Sequence, residues 1–264
     1  MYCNQPQKIV ATIEARMTSS RLPGKVLLDL AGKPALQQLV ERLRRSRYLD
    51  EVVVATTDRP TDDPVVELCR RIDCRVFRGS EDDVLARVLG AAESVSGDLI
   101  VEITGDCPAV DWRHVDQLIE TFFAGQYDYV ANVAGPRPCP VGFEVQVFPT
   151  AVLAEVNRLT QNPVDHEHVS LYIYSHPERY RIHYLEAGPA LYRPEIEVTL
   201  DTPEDYQLIQ SVFQALLPEK PDFSALDVIE LLQRRPELLA VTKDVKRKYA
   251  ENALAERQQA DEPS

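Results

Sequence analysis

The chain has 264 residues, 44% hydrophobic and 27% charged, and its 42 acidic against 29 basic side chains leave a formal net charge of −13. That length holds one large domain or two small ones, and the balance of apolar and charged residues excludes a disordered or collagen-like chain. A surface this acidic excludes a general binder of duplex nucleic acid, which needs a basic face, but leaves room for a local anion pocket.

No apolar run approaches the roughly 18 to 20 residues that span a bilayer. The opening Met-Tyr-Cys-Asn-Gln-Pro-Gln-Lys has neither the charged start nor the apolar stretch of a signal peptide. Cys3, Cys69, Cys74, Cys107 and Cys139 form no CxxC pair. The expectation is a cytoplasmic protein with reduced thiols and no thiolate zinc site.

Residues 8–14 (KIVATIE) form a β-branched run that predicts a buried strand, followed by a polar loop over 15–25. Pro34 is expected to open a helix in which Leu36, Leu39, Val40 and Leu43 share one apolar face. Residues 51–56 read as the second strand, 62–72 as a helix capped by Asp62, and 75–77 as a short third strand. A helix over 81–95 is stopped by Gly97; a buried strand spans 98–104, Asp111 caps a helix to about 123, and 127–133 is a further strand. Strands alternating with helices of this length predict an α/β, three-layer, mostly parallel sheet, with its ligand at the carboxyl ends of the strands.

From 134 to about 200 the rhythm changes, and the stretch reads as an inserted subdomain for acceptor binding or dimerisation. Residues 143–148 alternate like an exposed strand, Thr150 is placed to cap a helix to 159, and a second helix is expected over 165–175. Residues 180–185 and 195–200 look like strands, 203–216 and 225–233 like helices, and 241–257 like a terminal helix before a frayed 258–264.

Two features carry chemistry. The first strand runs directly into Ala15-Arg16-Met17-Thr18-Ser19-Ser20-Arg21-Leu22-Pro23-Gly24-Lys25, with three cations beside three hydroxyls in an acidic chain. Arginine forks and a lysine point charge suit phosphate oxygens, and backbone N–H groups add donors; the plainer alternative is a solvated basic loop. The loop is neither a Walker A sequence nor a GxGxxG fingerprint. Second, Thr104-Gly105-Asp106 ends one buried strand, and Asp201 follows a second β-rich run far along the chain. Two such carboxylates can share Mg²⁺ with substrate phosphates. The competing reading makes each a helix cap, for which Asp201 before Thr202-Pro203 is well suited. No side chain is an obvious general base; His166 and His168, on the helix expected over 165–175, are the candidates, and two apart on a helix they face different ways and cannot form a metal pair. Cys107 and Trp112 read as packing.

ARMTSSRLPGK followed by LLDLAGKPALQQLVERL resembles the opening of the CMP-sugar synthetases. GSEDDVLARV, TGDCPAVD, DHEHVSLYIYSHPERYRI and VTLDTPEDYQLI are similar to the cytidylyltransferase branch of the spore-coat polysaccharide biosynthesis protein F type. The resemblance covers about 8–214. It implies a nucleotidyltransferase fold, usually dimeric, that moves CMP from CTP to an acid sugar or a phosphorylated or phosphonate acceptor using Mg²⁺. It assigns Arg16, Arg21 and Lys25 to the triphosphate and Asp106 and Asp201 to the metal. Ser20 and Gly105 fall within the same nucleotide-binding loops. Ala15, Gly79, Ser80 and Arg87 would lie near the base and ribose. Two positions depart from the branch: Gln146 stands where an acid is usual, and His166 where an arginine is common, both in the expected acceptor region. A glycosyltransferase consuming a nucleotide sugar and a non-catalytic nucleotide-binding partner are the alternatives; the Asp-x-Asp triplet frequent in the former is absent from the sequence.

Overall fold

Ile9–Glu14 forms β1, buried along almost all its length because both faces of the strand are covered. The computed structural model describes residues 7–132, 139–246 and 253–257. After the cationic loop come the hairpin β2 (Asp29–Leu30) and β3 (Lys33–Pro34), then α1 (Ala35–Leu43). β4 (Glu51–Thr57), α2 (Asp63–Arg71), β5 (Arg75–Gly79), α3 (Val84–Ser94), β6 (Leu99–Thr104) and α4 (Trp112–Ala124) continue the expected alternation. β7 (Tyr129–Ala131), β8 (Gln146–Pro149), α5 (Thr150–Leu159), α6 (Pro163–Glu167), α7 (Leu171–Ser175) and β9 (Ile182–Tyr184) follow. α8 (Pro203–Leu216) and α9 (Ala225–Arg234) come last among the long elements.

One seven-stranded sheet runs in the order β5-β4-β1-β6-β8-β7-β9. β1 pairs in parallel with β4 and β6, β4 with β5, and β7 with β9, whereas β8 is antiparallel to both its neighbours. On one face Ile13, Val54 and Val101 pack with Leu36 and Leu39 of α1, Leu68 of α2 and Leu118 of α4. On the other, Ile100, Tyr129 and Phe148 pack with Leu85 and Val88 of α3 and Leu153 of α5. Three layers result, as the alternation predicts. A separate apolar cluster of Phe143, Leu200, Leu208, Phe213, Phe223 and Leu232 seats α8 and α9 beside the sheet.

Several expectations are corrected. Residues 143–148 do not form an exposed strand: Phe143 is buried, and β8 lies inside the sheet between β6 and β7. Residues 195–200 form no strand; an isolated bridge between Val141 and Glu197 is their ladder contact. Pro34 precedes α1 from within β3. Thr150 begins α5 but caps nothing, donating instead to the Gly97 carbonyl at 2.7 Å. The helix expected over 165–175 is split into α6 and α7 at Val169, whose φ is 42°. Of the terminal helix expected over 241–257, residues 239–242 form a 3-10 turn and 253–257 are helical. Residues 247–252 and the tail 258–264 lie outside the described residues, as does 133 at the end of the expected 127–133 strand. The 253–257 segment packs back on α6: Asn162 Nδ2 donates to the Arg257 carbonyl at 3.3 Å, and Arg257 Nε donates to fully buried Asp165 at 2.7 Å.

Arg42 ties three elements together. Its guanidinium, 4% exposed, donates to the carbonyls of Val110 at 2.8 Å, Ala109 at 3.2 Å and Phe223 at 2.8 Å, and lies over the Phe223 ring. Burial lowers its pKa to about 10, so it remains cationic at neutral pH. Arg42→Met would leave those carbonyls without their donor; the expected loss is about 3 kcal/mol of unfolding free energy, read as a lower urea midpoint.

Candidate active site

The cationic loop is held by its own backbone. The Met17 carbonyl accepts from the N–H of Ser19 at 3.0 Å and of Gly24 at 2.9 Å, pinching the loop shut. Gly24 makes the closing turn at φ 71°, a conformation that favours glycine. Beyond it Val26 is buried as an anchor, and Lys25 starts a short 3-10 turn with its side chain 13% exposed. Asp62 braces the loop from outside. Sequence reasoning makes it a helix cap, yet it forms no cap bond; its carboxylate accepts from Met17 N–H at 2.7 Å and from the Thr57 hydroxyl.

The two aspartates are brought together by main chain. Gly105 N–H donates to the Glu14 carbonyl at 2.9 Å, and a Cβ there would sit 2.4 Å from that oxygen, so only glycine lets the ends of β1 and β6 close. The Asp106 carbonyl accepts from Leu200 N–H at 2.8 Å, which fixes Asp201 one residue further on. The competing reading of Asp201 as a helix cap is not what the structure uses. Thr202 is the N-cap of α8, in a reciprocal capping box with Asp205, and this leaves the Asp201 carboxylate for other partners.

Lys25 is that partner. Its Nζ lies 2.9 Å from Asp106 Oδ2 and 2.9 Å from Asp201 Oδ1, while Arg21 Nη2 lies 3.0 Å from the same Asp201 oxygen. Burial alone would lower the lysine pKa, but the two carboxylates outweigh it and hold it raised. Burial likewise works to raise Asp106, and Lys25 overcomes it, keeping the carboxylate ionised. Two cations thus face two carboxylates from loops that are remote in sequence.

Arg16 is not part of this group. It points to Glu81 at 3.6 Å, which also accepts from the Thr18 hydroxyl at 2.7 Å and pairs with Arg59 at 3.2 Å. Ser20 is exposed on the loop. Ala15 is buried, its N–H donating to the Ala55 carbonyl at 3.3 Å. Gly79 ends β5, and the Ser80 hydroxyl accepts from the N–H of Asp82 and Asp83 at 3.2 and 3.1 Å. Buried Arg87 donates to the carbonyls of Ser80 and, at 3.3 Å, Glu81, so it shapes the turn beside the loop.

The sequence model of the family described as cytidylyltransferase matches residues 10–235. The spore coat polysaccharide biosynthesis protein SpsF of Bacillus subtilis is 39% identical over 236 residues, which span 87% of this chain and 95% of that protein. The chain belongs to the cytidylyltransferase family. A solved cytidylyltransferase from Leptospira borgpetersenii superposes with a TM-score of 0.83 at 29% identity, covering 92% of this chain and 99% of the other. The 3-deoxy-manno-octulosonate cytidylyltransferase of Geobacter sulfurreducens is 38% identical over 113 residues, 42% of this chain and 44% of that one. The protein is therefore a CTP-dependent nucleotidyltransferase with the expected nucleotidyltransferase fold. Among the described residues no helix is long and apolar enough to cross a membrane.

Sequence reasoning misses four acidic groups of this cytidylyltransferase. Glu81 and Asp62 gave no signal beyond acidity near helix starts. Glu14 and Glu102 sit inside strands whose apolar runs conceal them; burial raises both pKa values, Glu102 to about 8. Cys107 is buried with its thiol pKa pushed up by desolvation, in keeping with a packing role. The His166 ring lies 2.8 Å from Asp83, the N-cap of α3, and 3.1 Å from the Thr160 carbonyl.

Burial would lower the His166 pKa, but the bonds to Asp83 and the Thr160 carbonyl override it and hold it raised. A raised folded pKa means that the stabilisation is complete below the unfolded value near 6.5 and fades as pH rises through the folded one. His166→Asn should therefore lower Tm more at pH 6 than at pH 8.5, as followed by circular dichroism melts.

Proposed function

We propose that this cytidylyltransferase moves CMP from CTP to an acid sugar or a phosphorylated or phosphonate acceptor, with release of pyrophosphate, in the making of surface-polysaccharide or glycoconjugate precursors. The observation that carries the reading is Lys25 Nζ at 2.9 Å from both Asp106 and Asp201, with Arg21 beside them. The names of the Bacillus and Geobacter relatives support a sugar-type acceptor.

Two carboxylates converging on one point suit Mg²⁺, which takes one or two protein carboxylates and completes its shell with phosphate oxygens and water. Among the described residues no cluster of three or more His, Cys, Asp or Glu could hold a metal, so the remaining ligands come from the substrate. Bound there, Mg²⁺ would supply charge neutralisation at the transferring phosphoryl group. Lys25 and Arg21 then exchange their carboxylate partners for phosphate oxygens, and Arg16 turns from Glu81 to the triphosphate. These cations stabilise the charge that gathers on departing pyrophosphate. Ala15, Gly79, Ser80 and Arg87 lie toward base and ribose, and Ser20 and Gly105 belong to the nucleotide-binding loops of the same site. The acceptor oxygen enters in line from the opposite side of the α-phosphorus. The reading includes a homodimer with 143–192 as its interface; a monomer in sedimentation at micromolar concentration would count against that part.

Incubating the protein with each of the four nucleoside triphosphates and a library of acid sugars and sugar phosphates, scored by pyrophosphate, tests the reading. CTP-dependent release supports it; a nucleotide sugar consumed without pyrophosphate would replace it with glycosyl transfer. Arg16→Ala should lose about a hundredfold to a thousandfold in kcat with Tm unchanged. Lys25→Met should bind Mn²⁺ without nucleotide, whereas the natural protein takes up Mn²⁺ only with CTP, as read by electron paramagnetic resonance. Equal uptake by both proteins in the absence of CTP would show that Lys25 does not hold the metal position.

A further inference from the structure

A cavity of about 320 Å³ opens where the first turns of α4 and α9 meet. Asp111, the N-cap of α4, and Ser224, the N-cap of α9, both line it, so two helices direct their positive ends at one space. Arg113, His114, Lys220 and Asp227 complete its polar wall, and none of these belongs to the Lys25 cluster. Asp106 is parted from the cavity by the buried turn 107–110. There Val110 N–H donates to the Cys107 carbonyl at 3.1 Å, and Arg42 holds the carbonyls of Ala109 and Val110.

His114 carries an unmet demand. The residue is 9% exposed, its ring meets Phe143 edge-on at 6.3 Å between centroids, and its Nδ1 has no hydrogen-bond partner. Buried polar atoms are nearly always satisfied, so an unsatisfied imidazole in a cavity wall marks a place for a ligand. The rest of the wall decides the charge of that ligand. Both carboxylates are spent on helix caps. Asp111 accepts from Arg113 N–H at 3.0 Å and Ala225 N–H at 2.9 Å, and Asp227 accepts from the Ser224 N–H and hydroxyl, each at 2.7 Å. The cations keep donors in reserve. Half-exposed Lys220 gives one of its three protons to Asp227 at 2.6 Å. Arg113 uses three of its five guanidinium N–H groups, two at 3.2 Å on Asp111 and the Asp222 carbonyl and one at 2.9 Å on the Asp222 carboxylate. Burial lowers the His114 pKa, so its ring is neutral and offers one N–H. A cation would find carboxylates already satisfied, and among the described residues no three His, Cys, Asp or Glu are placed to hold a metal ion. An anion would find spare donors from three side chains at the positive ends of two helices.

We propose that the cavity between α4 and α9 is a second anion site, in which Arg113, His114 and Lys220 hold a small ligand by a phosphate or carboxylate group. At about 320 Å³ it lies at the small end of ligand cavities and suits a compact anion. The site stands apart from the proposed CMP transfer and needs neither its nucleotide nor its metal. Asp111 already joins α9 to α4 through Ala225, and a ligand spanning Arg113 and Lys220 bridges the two helices a second time.

Histidine imidazole resonances of the full chain test this, with the His114 signal identified by its loss in His114→Gln. Inorganic phosphate and citrate are the probes, one for each kind of oxyanion, against sodium chloride at matched ionic strength. The His114 signal should shift saturably with at least one probe, with half-saturation below about 1 mM, and stay in place with chloride. Saturation by phosphate alone assigns a phosphoryl ligand, and by citrate alone a carboxylate ligand. Lys220→Met and Arg113→Gln should each weaken binding at least about tenfold, with the far-ultraviolet circular dichroism and the CTP affinity by calorimetry unchanged as checks on folding. Lys220→Arg, which keeps the charge, should retain binding. A His114 signal that neither probe moves, or that moves equally in the natural protein and in Lys220→Met, would overturn the site. Either result leaves CMP transfer to be decided by pyrophosphate release.

Discussion

A single ammonium group between two carboxylates organises this protein. Lys25 arrives from the loop after β1, Asp106 from the end of β6 and Asp201 from the entrance to α8, and their electrostatic balance decides where the three segments meet. The balance could not form without ordinary backbone devices. Gly24 bends the loop, Gly105 lets two strand ends touch, and the bond from Leu200 N–H to the Asp106 carbonyl sets the second aspartate beside the first. Thr202 and Asp205 take over the helix cap, so Asp201 need not. A partly buried charge pair gains little over solvation unless its geometry is held, and here the geometry is held by main chain.

Much of this could be read from the residues alone. The β-branched runs, the helix faces and the position of the cationic loop follow from local pattern, and so did the pairing of Asp106 with Asp201 as candidates. What could not be read depends on tertiary placement. Residues 195–200 have strand composition, yet they run past the sheet and pair through one bridge, because propensity does not specify a neighbour. The 143–148 stretch alternates like an exposed strand, but β8 is inserted between β6 and β7 and is buried along most of its length. Asp62 has a cap's position and a brace's function; the distinction is 45 residues away, in the Met17 N–H. Arg16 has the right chemistry for phosphate, but its resting partner Glu81 left no sequence signal.

Two polar groups in the fold use opposite physics. Around Lys25, charges of both signs lie close and compensate one another, a state that a negatively charged nucleotide can enter by exchange of partners. Around Glu102 compensation is absent and charge is avoided: a carboxyl kept neutral by burial, an amide and phenols. His166, bonded to Asp83 of the α3 cap, joins the helix beside the nucleotide loop to the α6 region. The α6 region is thereby tied to the start of α3 through a bond that depends on protonation.

The clasp of the 253–257 segment on α6 carries a consequence for biosynthesis. Asp165 is fully buried, and its oxygens are met by Thr160 and by Arg257, a residue 92 positions later in the chain. Until Arg257 has been made, the Asp165 side chain lacks that partner, and α6 is short of this support. Sheet strands β1, β4 and β6, complete by residue 104, can assemble on the nascent chain well before this. The β1–β4–β6 part of the sheet is thus able to form during synthesis, while α6 gains this support only once residue 257 has been made.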